Sequence, residues 1–185
     1  MLTIAALEVL LCWLLWWYPP LFLAPHWQKR PSVAVTAPSL IGLVLQIAAF
    51  AVALFWRWPH SMPPATWRLI AAMIPGPLGS LLEWSAVRHL GRQFRIRAGL
   101  YEDHQLVRTG PYAIVRHPIY AAVLLMLVAT ALVTASWPGV ALSLALLVAG
   151  TEIRVRAEDR LLAGRFPTEF AAYKNSVPAY VPFVR

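Results

Sequence analysis

Residues 117–151 read HPIYAAVLLMLVATALVTASWPGVALSLALLVAGT and contain no Asp, Glu, Lys or Arg. A membrane-crossing helix needs about 20 mostly apolar residues, so this run is too long for one crossing. Trp137-Pro138-Gly139 is a turn signal within it. The stretch therefore predicts two antiparallel helices in a tight hairpin, about Ala113–Thr134 and Trp137–Arg156. Two further uncharged runs, Val9 to Gln28 and Pro31 to Trp56, extend the pattern upstream. Apolar residues make up 59% of the chain, where a soluble domain has roughly 45–50%. The predicted fold is all-α and integral to the membrane, with about five transmembrane helices. The first three are placed at about Leu2–Leu23, Ser39–Trp56 and Thr66–Arg88.

A net charge of +8 raises the possibility of a nucleic-acid partner, but the basic residues sort by topology instead. Lys29 and Arg30 follow the first span. Arg88, Arg92, Arg95, Arg97, Arg108 and Arg116 follow the third. Arg154, Arg156, Arg160, Arg165, Lys174 and Arg185 follow or end the fifth. Arg57 and Arg68 alone fall on the other side. Basic residues stay preferentially in the cytoplasm, so the expected topology has the N-terminus outside and the C-terminus in the cytoplasm, with no nucleic acid bound. No basic region precedes Leu2, and WWYPP at 16–20 is not a small-residue cleavage site, so the first helix reads as a retained span. The single cysteine, Cys12, lies within it and supports neither a disulfide framework nor a cysteine metal site. The five histidines, at 26, 60, 89, 104 and 117, lack paired-ligand spacing, so no metal is expected.

Residues 1–185 read as one membrane domain, with 1–100 as scaffold spans and a loop. The third span is interrupted by MIPGP at 73–77, and neighbouring groups must satisfy the carbonyls that its prolines free. Glu83 in that span is an intramembrane acid and a functional candidate, or else the partner of Arg88. The polar connection Gly91–Gly110 is long enough to be functional. Past the fifth span, Phe166-Pro167-Thr168-Glu169 suits a helix start. Leu162, Phe166, Phe170, Tyr173 and Val177 recur every three or four residues, which predicts a short C-terminal amphipathic helix on the membrane face or packed on the hairpin.

Two polar clusters flank the hairpin. LVRTGPYAIVRHPIY, residues 106–120, places Tyr112, Arg116, His117 and Tyr120 at the mouth of the fourth span. At the end of the fifth, Arg154 and Glu158 are four residues apart and share a helix face. The hairpin sets the clusters side by side, around a partly enclosed interfacial pocket with an apolar floor. Each residue also has a plainer reading: Tyr112 and Tyr120 as interfacial anchors, His117 as a helix cap, Arg154 and Glu158 as a solvated pair.

These residues resemble the isoprenylcysteine carboxyl methyltransferase family and the related membrane phospholipid methyltransferases. The family pattern His-x-Leu-Val-x-x-Gly-Pro-Tyr-x-x-x-Arg-His-Pro-x-Tyr is matched by His104, Leu106, Val107, Gly110, Pro111, Tyr112, Arg116, His117, Pro118 and Tyr120. A second block is matched by Arg154, Glu158-Asp159, Phe166-Pro167, Phe170, Tyr173 and Val177-Pro178. The resemblance runs from about His104 to Phe183. It departs from the pattern at Asp159, at Pro167 where glycine is usual, and at Ala121 where a glycine is common.

The resemblance implies S-adenosylmethionine as methyl donor. No Gly-x-Gly-x-x-Gly follows a strand, so a Rossmann-type site is excluded. By resemblance residues 101–185 form the cofactor-binding and catalytic part. The backbone of His104 to Val107 would meet the adenine. Gly110, Pro111, Tyr112, His117 and Tyr120 would line the remainder, with Arg116 or Glu158 on the methionine end. Arg154 would orient a carboxylate acceptor as a fork donor, or Glu158 would take the proton of an amine acceptor. The implied activity is methyl transfer to a lipophilic acceptor, a prenylcysteine-like carboxylate by resemblance. A phospholipid amine or another small hydrophobic acceptor is the alternative, and a non-catalytic membrane carrier or assembly factor is the second. Arginine far outnumbers lysine and alanine is abundant, which points to GC-rich bacterial coding and a bacterial inner membrane.

Overall fold

A computed structural model describes residues 1–23, 37–57, 64–94 and 105–182. The described residues form seven α-helices: α1 Leu2–Tyr18, α2 Ala37–Phe55, α3 Thr66–Ala72, α4 Pro75–Leu90, α5 Pro118–Thr134, α6 Trp137–Arg165 and α7 Pro167–Ser176. A π turn, Pro19–Leu23, continues α1, and short 3-10 turns occupy Gly91–Gln93 and Gly110–Ala113. Among these residues there is no strand, only one isolated bridge between Arg57 and Ala135.

Four helical stretches are long and apolar enough to cross a bilayer: Leu2–Phe22, Ala37–Phe55, Thr66–Leu90 and Trp137–Arg165. The helix Pro118–Thr134 is apolar and shorter, at 17 residues. Leu7, Leu10, Leu11 and Leu14 on α1, and Ile41, Val44 and Ile47 on α2, face outward. Such a continuous apolar exterior suits lipid rather than water. The chain is an integral membrane protein.

Proline sets the helix starts. Pro75, Pro118, Pro138 and Pro167 each stand in the first turn of α4, α5, α6 and α7, where the missing N–H costs nothing. Pro75 thus divides the expected third span into α3 and α4. The expected fourth span also begins later than Ala113. Gly110–Ala113 is a 3-10 turn, and His117 sits at φ −125° and ψ 64° immediately before α5. The residue preceding a proline is driven out of the helical region, so Pro118 fixes that boundary. At the far end α6 runs unbroken past Arg156 to Arg165. Its dense charge is accommodated by i,i+4 pairs such as Glu152 with Arg156, 3.5 Å apart.

Ala135 and Ser136 alone connect α5 to α6. Buried Arg68 on α3 ties down this corner. Its guanidinium donates to the carbonyls of Leu132 at 2.7 Å and Ala131 at 2.6 Å, and also to Ala135. A cation at a helix C-terminus satisfies carbonyls that have no helical partner. Elsewhere packing relies on small residues. Ala49 and Ala53 of α2 meet Ala131, Ala135 and Leu147. The closest approach is between Gly42 and Gly150, where a Cβ on Gly42 would lie 2.6 Å from the Gly150 carbonyl oxygen. Close backbone approach at small residues is how membrane helices gain contact without a hydrophobic driving force. The crossing brings α2 against the polar end of α6.

Candidate active site

The site forms where α5 begins and α6 becomes charged. Gly110 opens the segment. Its φ is 59°, and a Cβ there would meet the His89 ring at 2.2 Å. Only glycine combines that backbone angle with that contact. The turn then buries Tyr112, whose carbonyl accepts the Tyr173 hydroxyl from α7. The backbone N–H groups of Arg116 and His117 donate to Pro178 and Ala179 carbonyls, both at 2.8 Å. Tyr180 adds a hydrogen bond to Glu152 at 2.8 Å. The segment after α7 therefore straps the mouth of α5.

A continuous polar chain crosses the interior from α2 to α7. Gln46 donates to Thr151 at 2.9 Å and accepts from Arg154 at 3.3 Å. Arg154 Nε donates to the Tyr120 hydroxyl at 2.8 Å, and its Cζ lies 5.2 Å from the centroid of that ring. The Tyr120 hydroxyl donates in turn to Glu158. His117 faces two carboxylates, with Nε2 2.9 Å from Asp159 and Nδ1 3.4 Å from Glu158. Asp159 is completed by Arg116 and Lys174, each at 3.3 Å.

Burial by itself disfavours a charged His117, but the hydrogen bonds to Asp159 and Glu158 outweigh it and raise the imidazole above its usual value. In its protonated form the ring donates from both nitrogens. Burial pushes the Tyr173 phenol up to about 12 and holds Tyr112 well above the usual phenol range, with Glu83 and Glu158 adding to the effect on Tyr112. Both phenols stay protonated at neutral pH.

Beside this chain lies a cavity of about 340 Å³, within the roughly 300–1,000 Å³ range of small-molecule sites. Of the sequence-predicted residues, Leu106, Val107, Tyr112 and Arg116 line it. So do His117, Tyr120, Arg154 and Glu158. Gly110 and Pro111 shape the turn and do not line the cavity. His104 lies outside the described residues.

The sequence reading missed five contributors. Gln46 anchors Arg154 from a span read as scaffold. Asp159 was noted within the motif but given no site role, and it holds His117. Trp13, Trp16 and Phe50 of α1 and α2 extend the cavity with apolar walls. Gln46 had a signal, because it is the one amide in the apolar run Pro31 to Trp56. Glu83, the intramembrane acid, is 1% exposed and lines the cavity. The expected pairing with Arg88 is not formed: Arg88 is exposed, and Glu83 Oε2 has no hydrogen-bond partner among the described residues. Among the described residues no group of three or more His, Cys, Asp or Glu is arranged to hold a metal.

Comparison with known proteins gives one family match and relatives with names of two kinds. Residues 66–164 match the isoprenylcysteine carboxyl methyltransferase (ICMT) family. The chain is 32% identical to the cobalt-zinc-cadmium resistance protein CzcN of Cupriavidus metallidurans, over 77% of this chain and 63% of that protein. It is 30% identical to the nickel-cobalt-cadmium resistance protein NccN of Alcaligenes xylosoxydans xylosoxydans, over 83% of this chain and 72% of that one. With the protein-S-isoprenylcysteine O-methyltransferase B of Arabidopsis thaliana it shares 34% identity, over 58% of this chain and 55% of the plant protein. The chain thus spans a little over half to about three quarters of the length of these relatives.

Proposed function

We propose a function from one premise: the chain belongs to the isoprenylcysteine carboxyl methyltransferase (ICMT) family. On that premise it transfers a methyl group from S-adenosylmethionine to a lipophilic acceptor, at the cytoplasmic face of a bacterial inner membrane. The acceptor class to test first is a prenylcysteine-like carboxylate, the group in the plant relative's name. A phospholipid amine or another small hydrophobic acceptor comes second.

The observation that carries this reading is the joining of the two motif blocks. Tyr120 and His117 from the first meet Arg154, Glu158 and Asp159 from the second through direct hydrogen bonds, and all but Asp159 line the cavity. A non-catalytic carrier has no need of so complete a network. Five crossings also follow. Because Ala135–Ser136 is so short a connection, α5 runs antiparallel to spanning α6, and its 17 residues reach about 26 Å at 1.5 Å each. An odd number of crossings keeps the two basic clusters on one side, with the N-terminus outside.

The cavity fits the donor. A sulfonium is attracted to aromatic faces by about 0.5–2 kcal/mol, and Tyr112 and Tyr120 provide them. Leu106 and Val107 offer apolar surface and backbone groups for a heterocycle. When bound, the cofactor supplies an electrophilic methyl group. The protein's part is placement, since alignment of the reacting atoms supplies much of the rate in such displacements. Arg154, fixed by Gln46 and Tyr120, holds the phenol and Glu158 in register. His117, fixed by Asp159, holds the other face of Glu158. The apolar walls exclude water, and Trp13, Ile47 and Phe50 give a hydrocarbon chain somewhere to lie.

Protein purified in detergent should bind S-adenosylhomocysteine by titration calorimetry, and no heat at millimolar ligand sinks the reading. Membranes incubated with methyl-labelled cofactor should transfer label to extractable lipid or to protein. Glu158→Ala and His117→Ala should each abolish transfer while keeping native helicity. Full transfer in both variants removes the site assignment.

A further inference from the structure

We infer that Trp13 and Phe50 form a floor that sets how deep the apolar part of the methyl acceptor can enter, and so which acceptors fit. The inference rests on the methyltransferase reading above and deepens it. Among the described residues the cavity stops at one level below the polar chain. On α1 no residue before Trp13 lines it, on α2 none after Phe50, and on α5 none after Val123. The two rings meet edge to face there, with centroids 5.1 Å apart and planes at 74°. Trp13 Nε1 donates to Thr130 Oγ1 at 3.1 Å, and Thr130 donates on to the Met126 carbonyl at 2.8 Å. This bond across to α5 fixes the indole in place. Behind the rings lies packed core: Trp13 rests on the cluster of Val9, Leu69 and Val133, and Phe50 on that of Ala53 and Leu127. Both rings lie outside residues 66–164, the part matched by the family.

The space above the floor is shallow. From Gln46, which holds Arg154, to Phe50 is four residues of α2, and from Tyr120 to Val123 is three of α5. At 1.5 Å per residue these are about 6 Å and about 4.5 Å. An extended chain advances about 1.1–1.2 Å per bond, so roughly four or five bonds of hydrocarbon reach the floor. Lipid tails are as apolar as a cavity lined by leucine, so an acceptor already in the bilayer gains little from apolarity on entering. Selection among acceptors therefore rests on shape. A flexible chain can turn aside at the floor, whereas a rigid one cannot. The site thus favours acceptors whose apolar group is compact or bends within one helical turn of the reacting head, and it rejects long rigid ones.

The test uses the full chain in a neutral detergent, with N-acetyl-S-benzylcysteine and N-acetyl-S-(4-phenylbenzyl)cysteine as probes and S-adenosylhomocysteine titrated separately. The rigid group of the first is roughly four bonds long, about 4–5 Å, and that of the second roughly eight, about 9–10 Å. Wild type should bind the benzyl probe at least about tenfold more tightly, since the longer rod must overpack the floor. Trp13→Ala should shrink that preference at least about tenfold by opening the floor from α1. Phe50→Ala should do the same from α2, and it carries the test if Trp13→Ala does not fold. All variants see the same micelles, so partition of the probes cancels between them. General loosening weakens both probes alike and leaves the ratio unmoved. Leu14→Ala is the control: Leu14 is exposed and does not line the cavity, and its preference should stay within about twofold of wild type. A wild type that shows no preference or binds neither probe overturns the inference, and so does an unchanged preference in the floor variants. A wild type that prefers the benzyl probe yet binds no S-adenosylhomocysteine refutes the methyltransferase reading and leaves the floor standing.

Discussion

Gly42→Ala tests the crossing on which the site depends. The added Cβ would lie 2.6 Å from the Gly150 carbonyl oxygen and 2.6 Å from Arg154 Cγ. Ordinary contact begins at 3.4 Å, so the clash is 3.4 − 2.6, about 0.8 Å. Arg154 is the flexible partner and can turn aside. The carbonyl is backbone and cannot, so α2 must move away from α6. Overpacking of this kind costs about 1–3 kcal/mol. It also pulls Gln46 from Thr151 and Arg154, so S-adenosylhomocysteine binding should weaken in the same variant. Gly164→Ala is the control. Nothing lies within 4 Å of where a Cβ would stand on Gly164, in the exposed last turns of α6. Glycine in a helix costs roughly 0.5–1 kcal/mol relative to alanine, so this change should stabilise by up to that amount. Unfolding by sodium dodecyl sulfate in mixed micelles, followed by circular dichroism, should give shifts of opposite sign. If Gly42→Ala unfolds no earlier than Gly164→Ala, the close crossing does not exist as described.

Gln46→Ala removes the hydrogen bonds to Thr151 and Arg154. It should cost about 1–3 kcal/mol in the same titration and lower methyl transfer, and wild-type transfer would show that Arg154 is placed without α2. His117 gives a pH dependence. Its imidazole is raised in the folded protein above the ordinary 6.5 by Asp159 and Glu158, despite burial. The stabilisation is therefore fully present below about 6.5 and is lost as pH rises through the folded value. His117→Gln should flatten that alkaline decline; an equal decline in the variant assigns it to another group.

The hairpin and the helix starts were legible because proline acts locally: Pro118 and Pro138 dictate where α5 and α6 begin whatever surrounds them. The two motif blocks were legible because their spacing is fixed along the chain. Gln46 joined the site only through the Gly42–Gly150 crossing, a relation between helices more than a hundred residues apart that no local pattern encodes. Glu83 announced itself as an acid in an apolar span, yet sequence left two readings open, a functional group or a partner for Arg88. The turn points Arg88 outward and Glu83 into the cavity, a matter of helix rotation against α5 and α1. The extension of α6 past Arg156 was hidden because charge density signals an end to the membrane, which is a different event from an end to the helix.

The strap from Pro178 to Tyr180 has a consequence for biosynthesis. Its carbonyls complete the backbone of Arg116 and His117, and its phenol reaches Glu152. The helices before it can enter the bilayer as each emerges from the ribosome, but the mouth of α5 stays open until residue 180 has been made. Completion of the site thereby waits on synthesis of the strap itself. A nascent chain stalled before the strap would already be a membrane protein without yet having a finished site.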